Sequence, residues 1–389
     1  MRCHSAFRLL VFAGWISFWA LLSSPLVPAQ GFTAEAAPEW DALFDRESGW
    51  TGADGIFSIP LDQDERPGGL GRSHTLFVFS DTFVGDVTPA GRRRNATLVN
   101  NTLGFLSTFA SPPDPVEFHL DMSSGSADAV FRPKTPSANP GDWYWLKDGL
   151  ALDGKVHLFA SRFQTHPTIG FERVGLALIT LDRSLRPPLQ AAQQQELPFW
   201  YPAQGNRGEI TYGAGIFANT QEAGAPQPDG YIYVYGVEEV PLNKKLHAAR
   251  VLPQDFLDFS RWTFYDGQNW VSDPHQSVAL TGRLSNELSL SPGPNGKYLL
   301  VFQADGVGKD VGLRVADSPV GPFGTLQRIY RCPEPDLLTD VFVYNAKGHP
   351  HLSETGELLI SYNVNTLNFW DHFYYADIYR PRFLRLRWQ

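Results

Sequence analysis

Short apolar runs rich in β-branched and aromatic residues recur along the chain, each bounded by Gly, Pro, Asp or Asn. Five of them are 75–80, 155–161, 231–235, 298–303 and 357–362. Tight-turn signals precede four: Asp153-Gly154, Asp229-Gly230, Asn295-Gly296 and Thr355-Gly356. The first instead follows a longer Gly/Pro loop, 66–71. Ahead of each run lies another short segment carrying a polar or charged residue. These are 52–59 with Asp54, 145–152 with Asp148, 209–217 with Glu209, 286–291 with Glu287, and 349–353 with His349 and His351. The pattern is five strand-pair units at irregular spacing, a structural repeat with diverged loops. Helical periodicity is nearly absent; only 253–259 fits a turn or two.

Five such units predict an all-β fold, a five-bladed β-propeller forming a single domain over residues 30–389. Radial packing of sheets leaves only short, protected edges. A lectin-type β-sandwich is the alternative with similar composition. The load of 11 Trp, 14 Tyr and 27 Phe fits packing between wedge-shaped blades. The 35 Gly and 30 Pro supply turns. A net charge of −9 argues against nucleic acid as a partner, which needs a cationic surface.

Residues 1–29 read as an export signal. Arg2 and Arg8 open it, an apolar run from Leu9 to Leu22 follows, and Val27 and Ala29 suit a cut after Ala29. A membrane anchor is the other reading, but the run is short and Pro25 and Pro28 follow it. The expectation is a secreted or periplasmic protein with no stable membrane insertion after signal removal. Cys3 leaves with the signal, so Cys332 is left without a disulfide partner.

In a propeller the innermost strands line a central channel, and their first residues converge at one mouth. That places Asp54, Asp148, Glu209, Glu287 and His349 around one cavity. Carboxylates sharing a cavity repel, and at least one gains a raised pKa. Glycoside hydrolysis needs this: one carboxyl protonated as acid, another ionised as base or nucleophile. Each residue also has a plainer reading. Asp54 and Asp148 precede Gly and could form turns; Glu209 could be an ion-pair partner. His349 and His351, two apart on a strand, would share a face and could hold a metal or simply be hydrogen-bonded. Asp81 ends an apolar strand, where it either caps a turn or accepts from sugar hydroxyls at the rim. Asn101 adds a neutral donor and acceptor, and Trp50, Trp143 and Trp145 offer aromatic faces for a sugar ring or for the core.

The strings 49–58, 76–83, 231–236, 316–323 and 344–353 resemble secreted five-bladed propellers related to glycosidases. These are domain-of-unknown-function families, one with endo-D-arabinanase members, and more distantly the arabinanase, xylosidase and levansucrase clan. The resemblance implies a secreted hydrolase of a poly- or oligosaccharide, arabinofuranose-containing chains among the candidates. It makes Asp54 the base or nucleophile, Asp148 the tuning residue and Glu287 the acid, with Glu209 a rival for the acid. The residues expected to contact the substrate are Asp81, Asn101, Trp145, Glu209 and His349. No cofactor is required; a calcium or sodium ion on the axis near His349 is what the clan allows. His351 departs from the pattern, since relatives often carry an acidic residue there. A non-catalytic carbohydrate-binding propeller is the alternative.

Overall fold

The computed structural model describes residues 31–68, 74–107, 116–185, 189, 192–241 and 243–388. The export-signal reading of 1–29 lies outside the described residues. The chain forms a five-bladed β-propeller. Blade 1 orders strands Phe57–Pro60, Thr75–Phe79, Thr102–Leu106 and Glu117–His119 from the axis outward. Blade 2 orders Trp143–Leu152, Lys155–His166, Gly170–Asp182 and Gln193–Glu196. Blade 3 is built on Glu209–Asn219, Tyr231–Glu239 and Lys244–Val251, with short strands at its edges. Blade 4 orders Leu288–Pro292, Tyr298–Gln303, Asp310–Ala316 and Gln327–Arg331. Blade 5 orders Val341–His349, Glu357–Thr366 and Arg382–Trp388, and strand Phe32–Ala36 pairs onto its outer edge. The start and end of the described chain thus share one sheet and close the ring.

Each blade is covered on both faces, so its second strand reads as continuous apolar sequence. All six residues of Tyr298–Gln303 are buried. The buried apolar residues fall into five clusters, one in each space between adjacent blades. Trp50 belongs to the cluster between blades 5 and 1, stacked on Phe118 at 4.4 Å between centroids. It is a core residue, not a face at the mouth, because its strand packs against the helical segment carrying Trp40 and Phe44.

Of the four predicted tight turns, only Asp153-Gly154 joins paired neighbours directly, Leu152 opposite Lys155, with both turn residues at positive φ. Asp229-Gly230 instead ends an eleven-residue loop between paired Asn219 and Tyr231. The turn expected after residue 253 is present as a 3-10 turn, Pro253–Asp255.

Candidate active site

Four of the five inner strands are interrupted where they line the channel. In blade 1 the strand Ser48–Ala53 breaks at Asp54 before resuming as Phe57–Pro60. In blade 2 the register slips where Lys147 and Asp148 bulge. Blade 3 bulges at Gly213 and Ala214, and blade 5 at Asn345 and Ala346. Blade 4 enters its inner strand through Ser285–Glu287. A bulge frees residues from the ladder and re-aims their side chains. Here it gathers polar groups around the axis of a molecule whose blades are otherwise apolar.

At the blade 1 break, Asp54 lies against Ser80 and Asp81: Asp54 N–H donates to Asp81 O at 3.2 Å, and Ser80 N–H donates to Asp54 O at 2.9 Å. Tyr344 of blade 5 donates its hydroxyl to Asp54 Oδ2 at 2.8 Å, and Asp54 Oδ1 is buried without a partner. Burial, then the charges of Asp81 and Glu287, push the Asp54 carboxyl far above the usual carboxylate range. Asp81 is raised as well, chiefly by burial, although Trp145 Nε1 (2.8 Å) and Asn100 Nδ2 (3.2 Å) both donate to its Oδ1. Two such carboxyls hold a proton between them at neutral pH.

Glu287 comes to the same place from blade 4. Lys347 Nζ bonds it at 2.5 Å, also bonds the Gly55 carbonyl, and lies over the Phe57 ring. Lys347 therefore ties blade 4 to the kink that carries Asp54. A small hollow of about 30 Å³ beside them is walled by Ser58, Glu65, Asp148, Ile216, Lys347 and His349, among others. Asp148 accepts from the Gly149 and Ile216 backbone amides at 2.8 and 2.7 Å. Burial nevertheless raises it to about 7. The loop 61–68 crosses beneath, with Glu65 N–H bonded to Ala223 O and Gly68 N–H to Ser353 O.

The structure thus brings Asp54, Asp81, Asp148 and Glu287 together at the axis. Glu209 is ion-paired to Arg173 on the blade 2–blade 3 side. Asn101 spends its amide on the backbone of Phe131 and Tyr144 and is fully buried. Trp145 is half-buried, its indole N–H bound to Asp81 and its ring against Phe163 and Phe171. His349 ends the inner strand of blade 5, and a 3-10 turn, Pro350–Leu352, follows. His349 and His351 consequently do not share a strand face. His349 bonds Ser58 Oγ (2.7 Å) and Ser361 Oγ (2.8 Å) through its two ring nitrogens, and burial drives it to the neutral form. Neither nitrogen is free for an axial ion, and His351 faces Glu65 instead. Among the described residues, no three His, Cys, Asp or Glu side chains group as a metal site.

Tyr344, Lys347 and Lys147 were not singled out from sequence. Pro350 was the available signal: a central strand does not run through proline, so the blade 5 strand had to end at His349 and its axial residues to lie before it. The exposed aromatics of the mouth also differ from expectation. After the strand Glu357–Thr366, Phe369, Trp370, Tyr374 and Tyr375 are exposed, and Asn365 joins this segment to the site. Asn365 donates to Tyr344 Oη at 3.3 Å and contacts His372 Nε2 at 2.9 Å.

Residues 38–388 match the profile of a domain of unknown function, DUF5005. A crystal structure of a candidate hydrolase from Bacteroides ovatus superposes with a TM-score of 0.68 at 22% identity, covering 91% of this chain and 90% of that one. The catalytic domain of a Coprinopsis cinerea GH62 α-L-arabinofuranosidase gives 0.42 at 10% identity, covering 88% and 98%. Fructan 1-exohydrolase IIa from Cichorium intybus gives 0.42 at 12%, covering 91% and 56%. No curated protein sequence matches.

Proposed function

The chain belongs to the DUF5005 family, and on that premise we propose that it is a secreted or periplasmic glycoside hydrolase of polysaccharides, with arabinofuranose-containing chains the first to test. The observation that carries this reading is the Asp54 carboxyl, pushed upward by burial and then by the neighbouring acids Asp81 and Glu287, with one oxygen unpartnered. Acid–base cleavage of a glycosidic bond needs one carboxyl protonated and another ionised, and the raised Asp54 carboxyl is the source of the proton that the cycle must pass to Glu287.

In the proposed reaction Glu287 protonates the leaving glycosidic oxygen while the sugar C–O bond breaks. Asp54 acts on the anomeric side, taking a proton from water or attacking the carbon itself. Asp148 tunes the charge of the site from the wall below. In the free protein the proton rests on the Asp54–Asp81 side, and Lys347 holds Glu287. Turnover therefore requires that proton to pass from Asp54 to Glu287 as Glu287 is released from Lys347, which leaves Glu287 as the acid and Asp54 ionised. The positive charge of an oxocarbenium-like transition state favours ionised Asp54. Asp81 keeps Oδ2 for a sugar hydroxyl, and Phe369 and Trp370 offer exposed faces for sugar rings.

A second reading, a carbohydrate-binding propeller without turnover, is favoured by the Lys347–Glu287 bond alone, which occupies a carboxylate the reaction needs. Reducing-end release across a polysaccharide panel separates the two. Wild type should cleave at least one glycan, and Asp54→Asn and Glu287→Gln should each lose more than about a hundredfold. Saturable binding with no cleavage of any glycan would establish the second reading.

A further inference from the structure

Lys147 is an unusual residue to find where it is. It lies on the blade 2 bulge, next to Asp148, and only 8% of its surface is exposed. Among the described residues it has neither an ion pair within 4.0 Å nor a hydrogen bond. Its stem is buried while its ammonium keeps only a small opening to solvent, and a largely desolvated charge without a partner is costly. The charged groups that act on it are Arg173, Glu287, Glu239 and Asp148. The carboxylates among them are committed elsewhere: Glu287 to Lys347, Glu239 to Lys244, and Asp148 to two backbone amides.

The neighbouring cation, Arg173, repeats the pattern. Its side chain is 15% exposed, it pairs with Glu209 through Nη1, and its Nε is buried without a partner. Burial lowers both cations, Lys147 to about 8 with Arg173 adding to the fall, and Arg173 to about 10. The donors left unused on the blade 2 side of the mouth therefore belong to positive groups, next to carboxyls whose acceptor capacity is largely spent.

We infer that Lys147, with Arg173 Nε beside it, forms a subsite for an anionic substituent of the glycan, so that the substrate is an acidic polysaccharide rather than a neutral one. This rests on the glycosidase reading for what happens to the chain, but not for how it is held. A sugar carboxylate and a sulfate ester supply the same chemistry, a compact anion with several acceptor oxygens on a ring substituent. Either would take the ammonium and guanidinium hydrogen bonds that the protein leaves open, while the ring lies toward Asp54 and Glu287.

The probes are tetragalacturonate, its fully methyl-esterified form, and a sulfated galactan tetrasaccharide. Binding is measured by calorimetry on wild type and on Lys147→Met, and cleavage by reducing-end release. Wild type should bind an anionic probe at least tenfold more tightly than the ester, a preference in keeping with hydrogen bonds to charged groups. Lys147→Met should abolish that preference, and Lys147→Arg should retain part of it. The carboxylate and sulfate arms identify which anion fits. Equal binding of acid and ester by wild type, or a preference that survives in Lys147→Met, overturns the subsite. If neutral chains are cleaved as fast as acidic ones, the subsite falls and the glycosidase reading stands. If an acidic probe binds through Lys147 and no glycan is cleaved, the reverse holds.

Discussion

At the scale of single residues, the site is a set of carboxyls that the fold keeps from ionising freely. Asp148 rises to about 7 and Asp54 lies higher still, both through burial first. A carboxyl with a raised folded-state pKa binds more protons folded than unfolded, so its contribution is complete in acid and is lost as pH climbs through the folded value. His157, His247 and His372 are lowered to about 4 and oppose this only below their unfolded value of about 6.5. Between pH 6.5 and 7.5 the carboxyls dominate, Lys147 opposing them only as pH nears its folded value of about 8, and the melting temperature should fall across that window. Asp148→Asn should flatten the fall in a thermal melt series; an unchanged slope would show that Asp148 is not raised. The same logic fixes the rate profile. Asp54 as base works only when ionised, so kcat/KM on a cleaved glycan should rise with pH until near neutrality, well beyond an ordinary aspartate. A rate already level at pH 5 would remove Asp54 from that role.

At the scale of elements, the interruptions in the inner strands do the positioning. The kink of blade 1 is braced by Arg93, which is buried and donates to the carbonyls of Thr51, His372, Ala376 and Ile378 at 2.7–3.0 Å. One guanidinium thus fastens the aromatic segment after residue 366 to the strand leading into Asp54. Arg93→Met should cost about 3 kcal/mol in denaturant unfolding, since several buried carbonyls lose their donor together. It should also speed amide exchange at Ala376 and Ile378. Trp370, 66% exposed, touches no core and should matter only to the ligand. Trp370→Ala should raise KM severalfold and leave kcat within about twofold, and an unaltered KM would exclude it from the binding face. The strands themselves were legible in the sequence because burial on both faces writes them as unbroken apolar runs, and Asp54, Asp148 and Glu287 were legible because each opens or interrupts such a run. Lys347 and Tyr344 were not, because bulges break the period of two and hide which residue turns inward. Nor was the role of Asn101, since an amide that bonds backbone and one that bonds sugar look alike in sequence.

At the scale of the whole molecule, five apolar wedges form a ring, and the ring is closed by strand Phe32–Ala36 lying on Arg382–Trp388. Arg387 also pairs with Glu35 across this seam. Deleting residues through Ala36 should bare the edge of blade 5, lower the melting temperature and give larger species by size-exclusion chromatography; a monomer with unchanged melting would mean the seam is dispensable. Closure matters for chemistry because Asp54 and Glu287 belong to blades 1 and 4 and are held in one site through blade 5, by Tyr344 and Lys347. The most direct test of the account is a comparison of kcat/KM for wild type, Asp54→Asn, Glu287→Gln and the double variant on one cleaved glycan. Carboxyls that act as a unit predict a loss beyond about a hundredfold for each single change and little further loss in the double. Small losses that simply multiply would show that the two acids do not share a reaction.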